Sequence, residues 1–482
     1  MRRSSTESVS ELILPRGHPD RGLLIAVLCS IVFLHGCSSP SQTPHAIWPQ
    51  VSLSAHDRLL ILAPHPDDEV LGCGGIMQRA LAMGLPVQVI FFTYGDNNQW
   101  SFLVYRKHPV LAPGAVRQMG LVRHDEAVAA DQLLGLAPEH LTFLGYPDFG
   151  TLHIWQAHWN DRPPFRSLLT HVTAVPYQNA FRPGAPYKGE EVLRDLATIL
   201  RGFRPTKVFV SHPGDHMPDH AALYLFTRVA LWDLEPHITP EVYPYLIHFK
   251  RWPRPRGFQP TRLLEAPTPF RDQIPWQEYR LSPAALERKR QAIQAHRSQY
   301  GSSARYLLSF IRPNELFGEF PLVRLTGGSA PLVAAARQSA EGTEPPEELT
   351  DEERARFVGV EERRMWLEDG KLVLSITYSR PLAETVGLSV FAFGYRRDRP
   401  FGQMPKLHIN MGALSHKVLD QDQIVTNAGI EVTRQPTQVT VRIPLHTLGN
   451  PQRILTSART YLGDVPLDWT SWRALELSDI QE

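Results

Sequence analysis

The sequence predicts an α/β domain built on a mostly parallel, doubly wound sheet, followed by a C-terminal antiparallel β-sandwich. Short apolar runs alternate with helical patterns in the first half of the chain, and the first run ends directly in polar residues. Beyond residue 353 the apolar residues recur with a period of two. The first two features are typical of an α/β sheet and the third of a sandwich. A chain of 482 residues has room for both domains.

The order of the first elements supports the parallel sheet. Residues 58–63 form a short apolar run with the composition of a buried strand. A helical pattern covers residues 70–83, and residues 86–93 are a second strand. This β-α-β order predicts a Rossmann-like fold, in which ligands bind outside the carboxyl ends of the strands. Further helices are predicted at 115–136, 190–201 and 283–299, and further strands at 141–144 and 207–211.

Residues 149–188 interrupt this alternation. They are rich in Trp, His, Tyr and Pro and show no clear period, so we predict a long active-site insertion. Its aromatic side chains serve either as platforms for sugar rings or as ordinary packing. They are Trp155, Trp159, Tyr177, Phe181 and Tyr187.

The C-terminal third differs in composition and period. Residues 326–352 are dominated by Gly, Ala, Pro, Ser and Glu, which predicts a linker. In residues 353–482, Leu372, Leu374 and Ile376 alternate with other side chains, as in a strand that buries one face. The predicted β-sandwich there is an accessory domain. Sugar binding and a structural or docking role remain equally open for it.

Composition and charge exclude some classes of partner. The chain is 43% hydrophobic and 21% charged, with 50 basic and 49 acidic side chains and a net charge of +1. This balance gives no broad basic surface for nucleic acid, so we predict no nucleic-acid partner.

The N-terminus has the features of an export signal. Arginines precede an uncharged apolar run at residues 23–34, which as a helix would rise only about 18 Å, too short to span a bilayer. The run suits the h-region of a signal peptide, and Leu34, Gly36 and Cys37 resemble a bacterial lipobox. We therefore predict lipidation at Cys37 and attachment to a membrane by that anchor alone. An ordinary signal peptide cut nearby and an uncleaved anchor are the alternatives.

The first candidate site lies where the first predicted strand ends. Four polar residues follow this strand within a few positions: His65, Asp67, Asp68 and Glu69. The prolines on either side of His65 help to fix the turn. One imidazole and one carboxylate can bind a metal while the neighbouring carboxylate faces a metal-bound water. A catalytic zinc site needs a third ligand from elsewhere in the chain. The residues alone leave a magnesium-type phosphate site and a solvated turn open.

The segment at residues 63–75, APHPDDEVLGCGG, resembles the signature of the PIG-L (LmbE-like) family of deacetylases. That resemblance implies a Zn²⁺-dependent enzyme that removes acetyl from N-acetylglucosamine units. Carried over by position, it makes His65 and Asp68 zinc ligands and Asp67 the general base.

Three later segments extend the resemblance to residues 57–300. The helix around Arg123 resembles the family's Arg-x-x-Glu helix, and the strand end at Asp148 resembles its Leu-Gly-x-x-Asp segment. Residues 289–299 resemble its closing helix. By analogy, Arg123 and Asp148 would hold sugar hydroxyls; a buried ion pair or a backbone contact is the alternative for each.

The second histidine cluster departs from the family pattern. The family places its third ligand in a His-x-x-His motif, and His220 aligns with the second histidine. The position three residues before it is Met217, while His216 lies four before. We predict that a local bulge returns His216 to the catalytic position, where the family's first histidine is thought to assist the oxyanion or the leaving amine. His212, another donor, and a crippled site are the alternatives.

The resulting prediction is a zinc-dependent deacetylase of an N-acetylated amino sugar in a glycolipid or polysaccharide, lipid-anchored in a bacterial cell envelope on the periplasmic side. A non-catalytic carbohydrate-binding lipoprotein and an amidase of the same family are the alternatives. The predicted divisions are a signal peptide (1–37), a tether (38–56), a deacetylase domain (57–325), a linker (326–352) and a sandwich (353–482).

Overall fold

Five parallel strands form the central sheet of the computed structural model. They are β1 (Leu59–Ala63), β2 (Val87–Thr93), β3 (Leu141–Tyr146), β4 (Lys207–Ser211) and β5 (Glu241–Tyr245). Their order is β3-β2-β1-β4-β5. The order reverses beside β1, which places a crevice at the carboxyl ends of β1 and β4. The predicted Rossmann-like α/β domain is confirmed.

The structure describes residues 48–97, 112–327, 332–333, 345, 349–383, 385–412, 415–463 and 465–478. Cys29, Cys37 and the predicted signal peptide lie outside these residues, so lipidation stays a prediction. The described part of the chain contains no helix that is both long and apolar enough to cross a membrane.

Helices cover both faces of the sheet and continue beyond it. They are α1 (Asp68–Ala82), α2 (Pro113–Leu134), α3 (Thr151–Ala157), α4 (Gly189–Phe203), α5 (Pro218–Leu234), α6 (Pro283–Ala295), α7 (Arg297–Leu307) and α8 (Asp351–Ala355). The prediction of one helix over 283–299 is wrong. His296 separates α6 from α7 with φ −74° and ψ 64°, which is not helical.

Two buried groups hold α6 against α1. Lys289 donates to the Glu315 carboxylate over 2.6 Å, and that carboxylate accepts from the backbone amides of Gly75 and Ile76 in α1. β6 (Gln277–Arg280) pairs antiparallel with β7 (Asn314–Phe317), which carries Glu315. The lysine of the predicted closing helix therefore has a structural contact.

The C-terminal region forms two sheets. The smaller contains β9 (Leu332–Val333), β10 (Val360–Glu368), β11 (Lys371–Tyr378), β16 (Glu431–Gln435) and β17 (Gln438–Pro444). The larger contains β8 (Val323–Leu325), β12 (Val386–Tyr395), β13 (Lys406–Met411), β14 (His416–Asp420), β15 (Gln423–Ile424), β18 (Arg453–Leu462), β19 (Val465–Trp469) and β20 (Arg473–Leu477).

The two sheets enclose one apolar core, as predicted for a sandwich. Leu372, Leu374 and Ile376 of β11 are fully buried and share a cluster with Leu388 and Val390 of β12. All pairings are antiparallel except that of β8 with β20. β8 lies before residue 326, so a strand from the predicted deacetylase division completes the sandwich.

The sandwich and the α/β domain share a second apolar core. Every residue of β12 is buried, because its two faces serve different neighbours. Phe391, Phe393 and Tyr395 belong to the cluster that contains the central sheet. The Phe393 ring lies 5.8 Å from the Trp155 ring, and the Tyr395 hydroxyl bonds Asp233 of α5 over 3.0 Å. Both domains lie within one of the two units of the chain, Ala46–Glu482.

Candidate active site

The turn after β1 carries three site residues. β1 ends at Ala63 and α1 begins at Asp68. Asp67 has φ 126°, a region that residues with a side chain rarely occupy, at a cost of roughly 1–3 kcal/mol. Its amide donates to Glu69 Oε2 over 2.9 Å. This strained turn places the carboxylates of Asp67 and Asp68 on the same cavity.

His65, Asp68 and His220 form a compact, buried group. His65 Nδ1 lies 3.2 Å from Asp68 Oδ2, and His220 Nε2 lies 3.1 Å from the same oxygen. The two imidazole nitrogens are 3.3 Å apart. Asp68 and His220 lie in the first turns of the helices that follow the neighbouring strands β1 and β4, and all three side chains are at most 7% exposed. Three N and O ligands that converge in this way fit an open catalytic zinc site.

Carboxylates lie behind both imidazoles. His65 Nε2 is 3.1 Å from Asp148 Oδ1 and 3.2 Å from Asp219 Oδ2, while His220 Nδ1 is 3.1 Å from Asp215 Oδ2. Carboxylates in this position fix the orientation of a ligand histidine and increase its basicity. Asp148, predicted to hold sugar hydroxyls, thus contacts His65 as well as lining the cavity.

The charges of the group favour a cation. Burial lowers the pKa of both imidazoles, but the carboxylates outweigh it. Asp148 and Asp68 help to raise the pKa of His65 well above its usual range, and Asp215 and Asp68 raise the pKa of His220 to about 9. The negative potential that makes these rings take up protons also attracts a divalent metal. The donor set and its charge therefore fit zinc.

Asp67 and Arg123 lie side by side. Burial raises the pKa of Asp67 to about 7, although the Arg123 guanidinium acts in the opposite direction. Arg123 donates to the carbonyls of Gly95 and Pro66 over 2.9 and 2.6 Å, and its Nη2 is 3.5 Å from Asp67 Oδ2. Arg123 therefore forms the ion pair that was the alternative prediction, and it also lines the cavity, as a sugar contact requires.

The structure does not bring His216 to this cavity, which corrects its predicted position. Met217, just before α5, has extended dihedral angles and lines the cavity. Neighbouring residues of an extended segment point in opposite directions, so the His216 ring points away. Its centroid lies 4.7 Å from that of Phe249 and 6.0 Å from that of Trp469. The predicted bulge does not compensate for the extra residue.

His212, the alternative donor, also lies elsewhere. It is fully buried, and its ring is within 5.6 Å of the rings of Phe270, Trp276 and Phe320. Its Nδ1 accepts a hydrogen bond from the Gly214 amide. This histidine is part of an aromatic cluster.

His248 lines the cavity and was missed by the sequence analysis. Its ring centroid is 4.9 Å from that of His220, and its Nδ1 is 3.2 Å from the Tyr306 hydroxyl. That hydroxyl donates to the Ile247 carbonyl over 2.8 Å. Burial lowers the pKa of His248 to about 4. The sequence offers little to predict this position, because His248 belongs to no recognised motif and follows a short edge strand, β5.

The cavity has a volume of about 420 Å³, within the range of small-molecule sites. Its remaining lining mixes apolar and polar side chains. The lining residues are His65, Asp67, Asp68, Leu71, Asn97, Arg123, Asp148, Phe149, Met217, His248, Gln299, Ser303, Tyr306 and Leu307. An amide and the ring of one sugar would find both hydrogen-bonding groups and apolar surface there.

The aromatic side chains of the predicted active-site insertion mostly serve as buried packing. Trp155, Trp159, Tyr177 and Tyr187 are at most 4% exposed, and none of them lines the cavity. Within residues 149–188, all of which the structure describes, Phe149 alone lines it. Phe149 is 43% exposed and has φ 59°, and its amide donates to Asp219 over 2.6 Å.

Comparison with known protein families finds a match over this part of the chain. The family model PIG-L, GlcNAc-PI de-N-acetylase, matches residues 60–231. This stretch is a PIG-L family domain. It contains His65, Asp67, Asp68 and His220, whereas His248 lies beyond its end.

Similar proteins include bacterial sugar deacetylases. The 1D-myo-inositol 2-acetamido-2-deoxy-alpha-D-glucopyranoside deacetylase of Mycobacterium sp. (strain KMS) is 30% identical over 177 residues, covering 36% of this chain and 50% of that protein. The Actinosynnema mirum protein of the same name is 30% identical over 185 residues, covering 38% and 57%. The chain thus spans about half the length of these relatives. The N,N'-diacetylchitobiose deacetylase structure from Pyrococcus horikoshii has 20% identity, a TM-score of 0.31, and coverage of 52% of this chain and 75% of that one.

Proposed function

We propose that this protein hydrolyses the N-acetyl amide of a GlcNAc-type amino sugar, releasing acetate, with zinc as its cofactor. One observation carries the proposal: His65, Asp68 and His220 form one buried group, and His65, Asp67 and Asp68 of this site line a cavity large enough for a sugar. The PIG-L domain and the deacetylase activity for which the relatives are named support the same reaction. The substrate is a glycolipid or a polysaccharide unit.

His65, Asp68 and His220 would hold the metal. A zinc ion there would polarise the acetyl carbonyl and lower the pKa of a water molecule, which permits amide hydrolysis at neutral pH. Asp148, Asp219 and Asp215 keep the imidazoles in position for it.

Asp67 is the general base in this proposal. Its carboxylate lines the cavity next to the ligand Asp68, and its strained backbone keeps it there. It accepts a proton from the attacking water and returns a proton to the leaving nitrogen, so that acetic acid and a free amine form. Arg123 stabilises the charged form of Asp67.

His248 lines the cavity where His216 was predicted to lie, but its role differs from the one predicted for His216. Because the Tyr306 hydroxyl donates to the Ile247 carbonyl, it accepts the hydrogen bond from His248 Nδ1. The neutral ring then keeps an Nε2 lone pair as an acceptor for the amide N–H of the substrate. His248 thus orients the amide, while Asp67 handles the proton.

The test separates metal binding from chemistry. Zinc content and acetate release from a panel of N-acetyl amino sugars are measured for the wild type and Asp67→Asn. We expect one zinc per chain in both and acetate from the wild type alone. Full activity of Asp67→Asn would disprove its role as the base. Zinc without acetate from any sugar would favour the amidase or the non-catalytic alternative.

We also propose that the protein is a lipid-anchored component of a bacterial cell envelope. The lipobox-like residues Leu34, Gly36 and Cys37 support this location. Cys37→Ser should prevent incorporation of a labelled fatty acid and release the protein from membranes. Unchanged labelling would contradict the anchor at Cys37.

A further inference from the structure

The sandwich reaches the active-site loops through residues 468–472, which we name the brace loop. This segment spans the end of β19 and the turn into β20. It lies against two segments of the α/β domain: residues 213–217, which follow β4, and residues 247–250, which follow β5. Both segments border the cavity, through Met217 and His248.

The brace loop touches the first segment at its backbone. The Trp472 amide donates to the Pro213 carbonyl over 2.9 Å. At Gly214 a Cβ atom would lie 2.8 Å from Ser471 Oγ and 2.7 Å from the Phe270 ring, so a larger residue does not fit. Residues 213–214 are therefore clamped between the sandwich and Phe270.

The second segment is held by an ion pair. Asp468 has a fully buried carboxylate that lies 2.5 Å from Lys250 Nζ. The same carboxylate accepts from the Val360 amide over 2.8 Å, which fixes it within the sandwich. Lys250 follows His248 by two residues. His216 adds a third contact, since its ring centroid lies 4.7 Å from that of Phe249 and 6.0 Å from that of Trp469.

Asp215 joins the two braced segments to the ligand group. Its Oδ1 accepts from the Met217 amide over 3.0 Å, and its Oδ2 accepts from the Ile247 and His248 amides over 3.1 and 2.9 Å. The same Oδ2 lies 3.1 Å from His220 Nδ1. A shift of either segment therefore moves the carboxylate that orients His220.

We propose that the brace loop is a positioning element of the metal site, acting through Asp215 on His220 and His248. The sandwich is then a part of the active-site architecture, and His216 is an interface anchor. This inference rests on the proposed metal-dependent function. It gives a physical reason for the departure at Met217: the histidine displaced from the cavity contacts the domain that braces it.

The test uses two single variants of the full chain, Lys250→Met and Trp469→Ala. Zinc affinity is measured by competition with a chromophoric chelator, and the visible spectrum of the cobalt-loaded protein reports ligand geometry. We expect zinc to bind about 5- to 10-fold more weakly, somewhat less than the loss usual for direct partners of a ligand, together with a changed cobalt spectrum. Lys250→Arg should retain the wild-type affinity. Circular dichroism at the assay temperature verifies that each variant is folded.

Arg397→Met is the matched control. Arg397 pairs with Glu235 over 2.9 Å, which also joins the sandwich to the α/β domain, but at the end of α5 away from the cavity. Its zinc affinity and cobalt spectrum should equal those of the wild type. Unchanged values in both brace variants would overturn the inference, and so would an equal loss in Arg397→Met. A folded wild type that binds neither metal would instead refute the proposed function itself.

Discussion

The two histidine clusters of this protein differ in how their geometry is determined. The first, at residues 65–69, lies on a tight turn directly between β1 and α1, so local structure places its side chains. The second, at residues 212–220, follows β4 through a longer loop that contacts residues 247–250 and 468–472, which are distant in the sequence. A short motif at a strand end is thus a better guide to a site than a motif in a loop.

The largest expected effect distinguishes His220 from His216 within the second cluster. His220→Ala removes a ligand and should weaken zinc binding by more than about 100-fold, beyond the usual loss for an outer partner, and abolish acetate release. His216→Ala should weaken zinc binding by less than about tenfold, because its ring lies outside the cavity. Chelator competition measures both. Equal losses would restore His216 to the site.

The next effect concerns the histidine that follows β5. His248→Ala should lower kcat by about 100-fold, because the substrate amide loses the acceptor that orients it, while zinc stays bound. Tyr306→Phe removes only the hydroxyl that accepts from His248 Nδ1, so its loss should be smaller. Acetate release under saturating substrate measures kcat. Wild-type kcat in His248→Ala would remove this residue from the mechanism.

Asp215 should show an intermediate effect. Asp215→Asn keeps the size of the side chain but removes its charge and so weakens the contact with His220. Zinc affinity should therefore fall about 10- to 100-fold. Asp125→Asn, whose side chain is 82% exposed, is the control and should bind zinc like the wild type. The outcome that contradicts this account is an Asp215 variant with unaltered affinity.

The smallest effect is predicted at the rim of the cavity. Phe149 is a large, exposed side chain with a left-handed backbone, so folding alone does not account for its presence. Stacking on a sugar ring would account for this exposed aromatic side chain. Phe149→Ala should therefore raise KM about 2- to 10-fold with little change in kcat. Phe149→Tyr should behave like the wild type, as should Phe181→Ala elsewhere in the insertion. An unchanged KM in Phe149→Ala would exclude this contact.

Local pattern was sufficient to predict the central sheet and the first cluster. The apolar runs at β1, β2 and β4 are bounded by polar or helical segments, and their order predicts the crevice. β5 was missed because it is short and contains Pro244, which is tolerated at the edge of a sheet. The helix break at His296 could not be predicted from the sequence, because no proline or glycine lies next to it.

Long-range packing explains the remaining differences. β12 was predictable as a strand region, but its two faces serve different cores. The odd-numbered Phe391, Phe393 and Tyr395 face the α/β domain, which an alternation count alone does not reveal. The place of His248 depends on Asp215, 33 residues earlier in the chain. Such contacts have no short motif, so only the folded structure shows them.

Metal removal tests the central claim most directly. The wild type is stripped with a chelator, returned to one equivalent of zinc, and assayed for acetate release from N-acetyl amino sugars, with His220→Ala treated in parallel. We expect activity to disappear on stripping and to return in the wild type but not in the variant. Full acetate release from the stripped wild type would contradict the account.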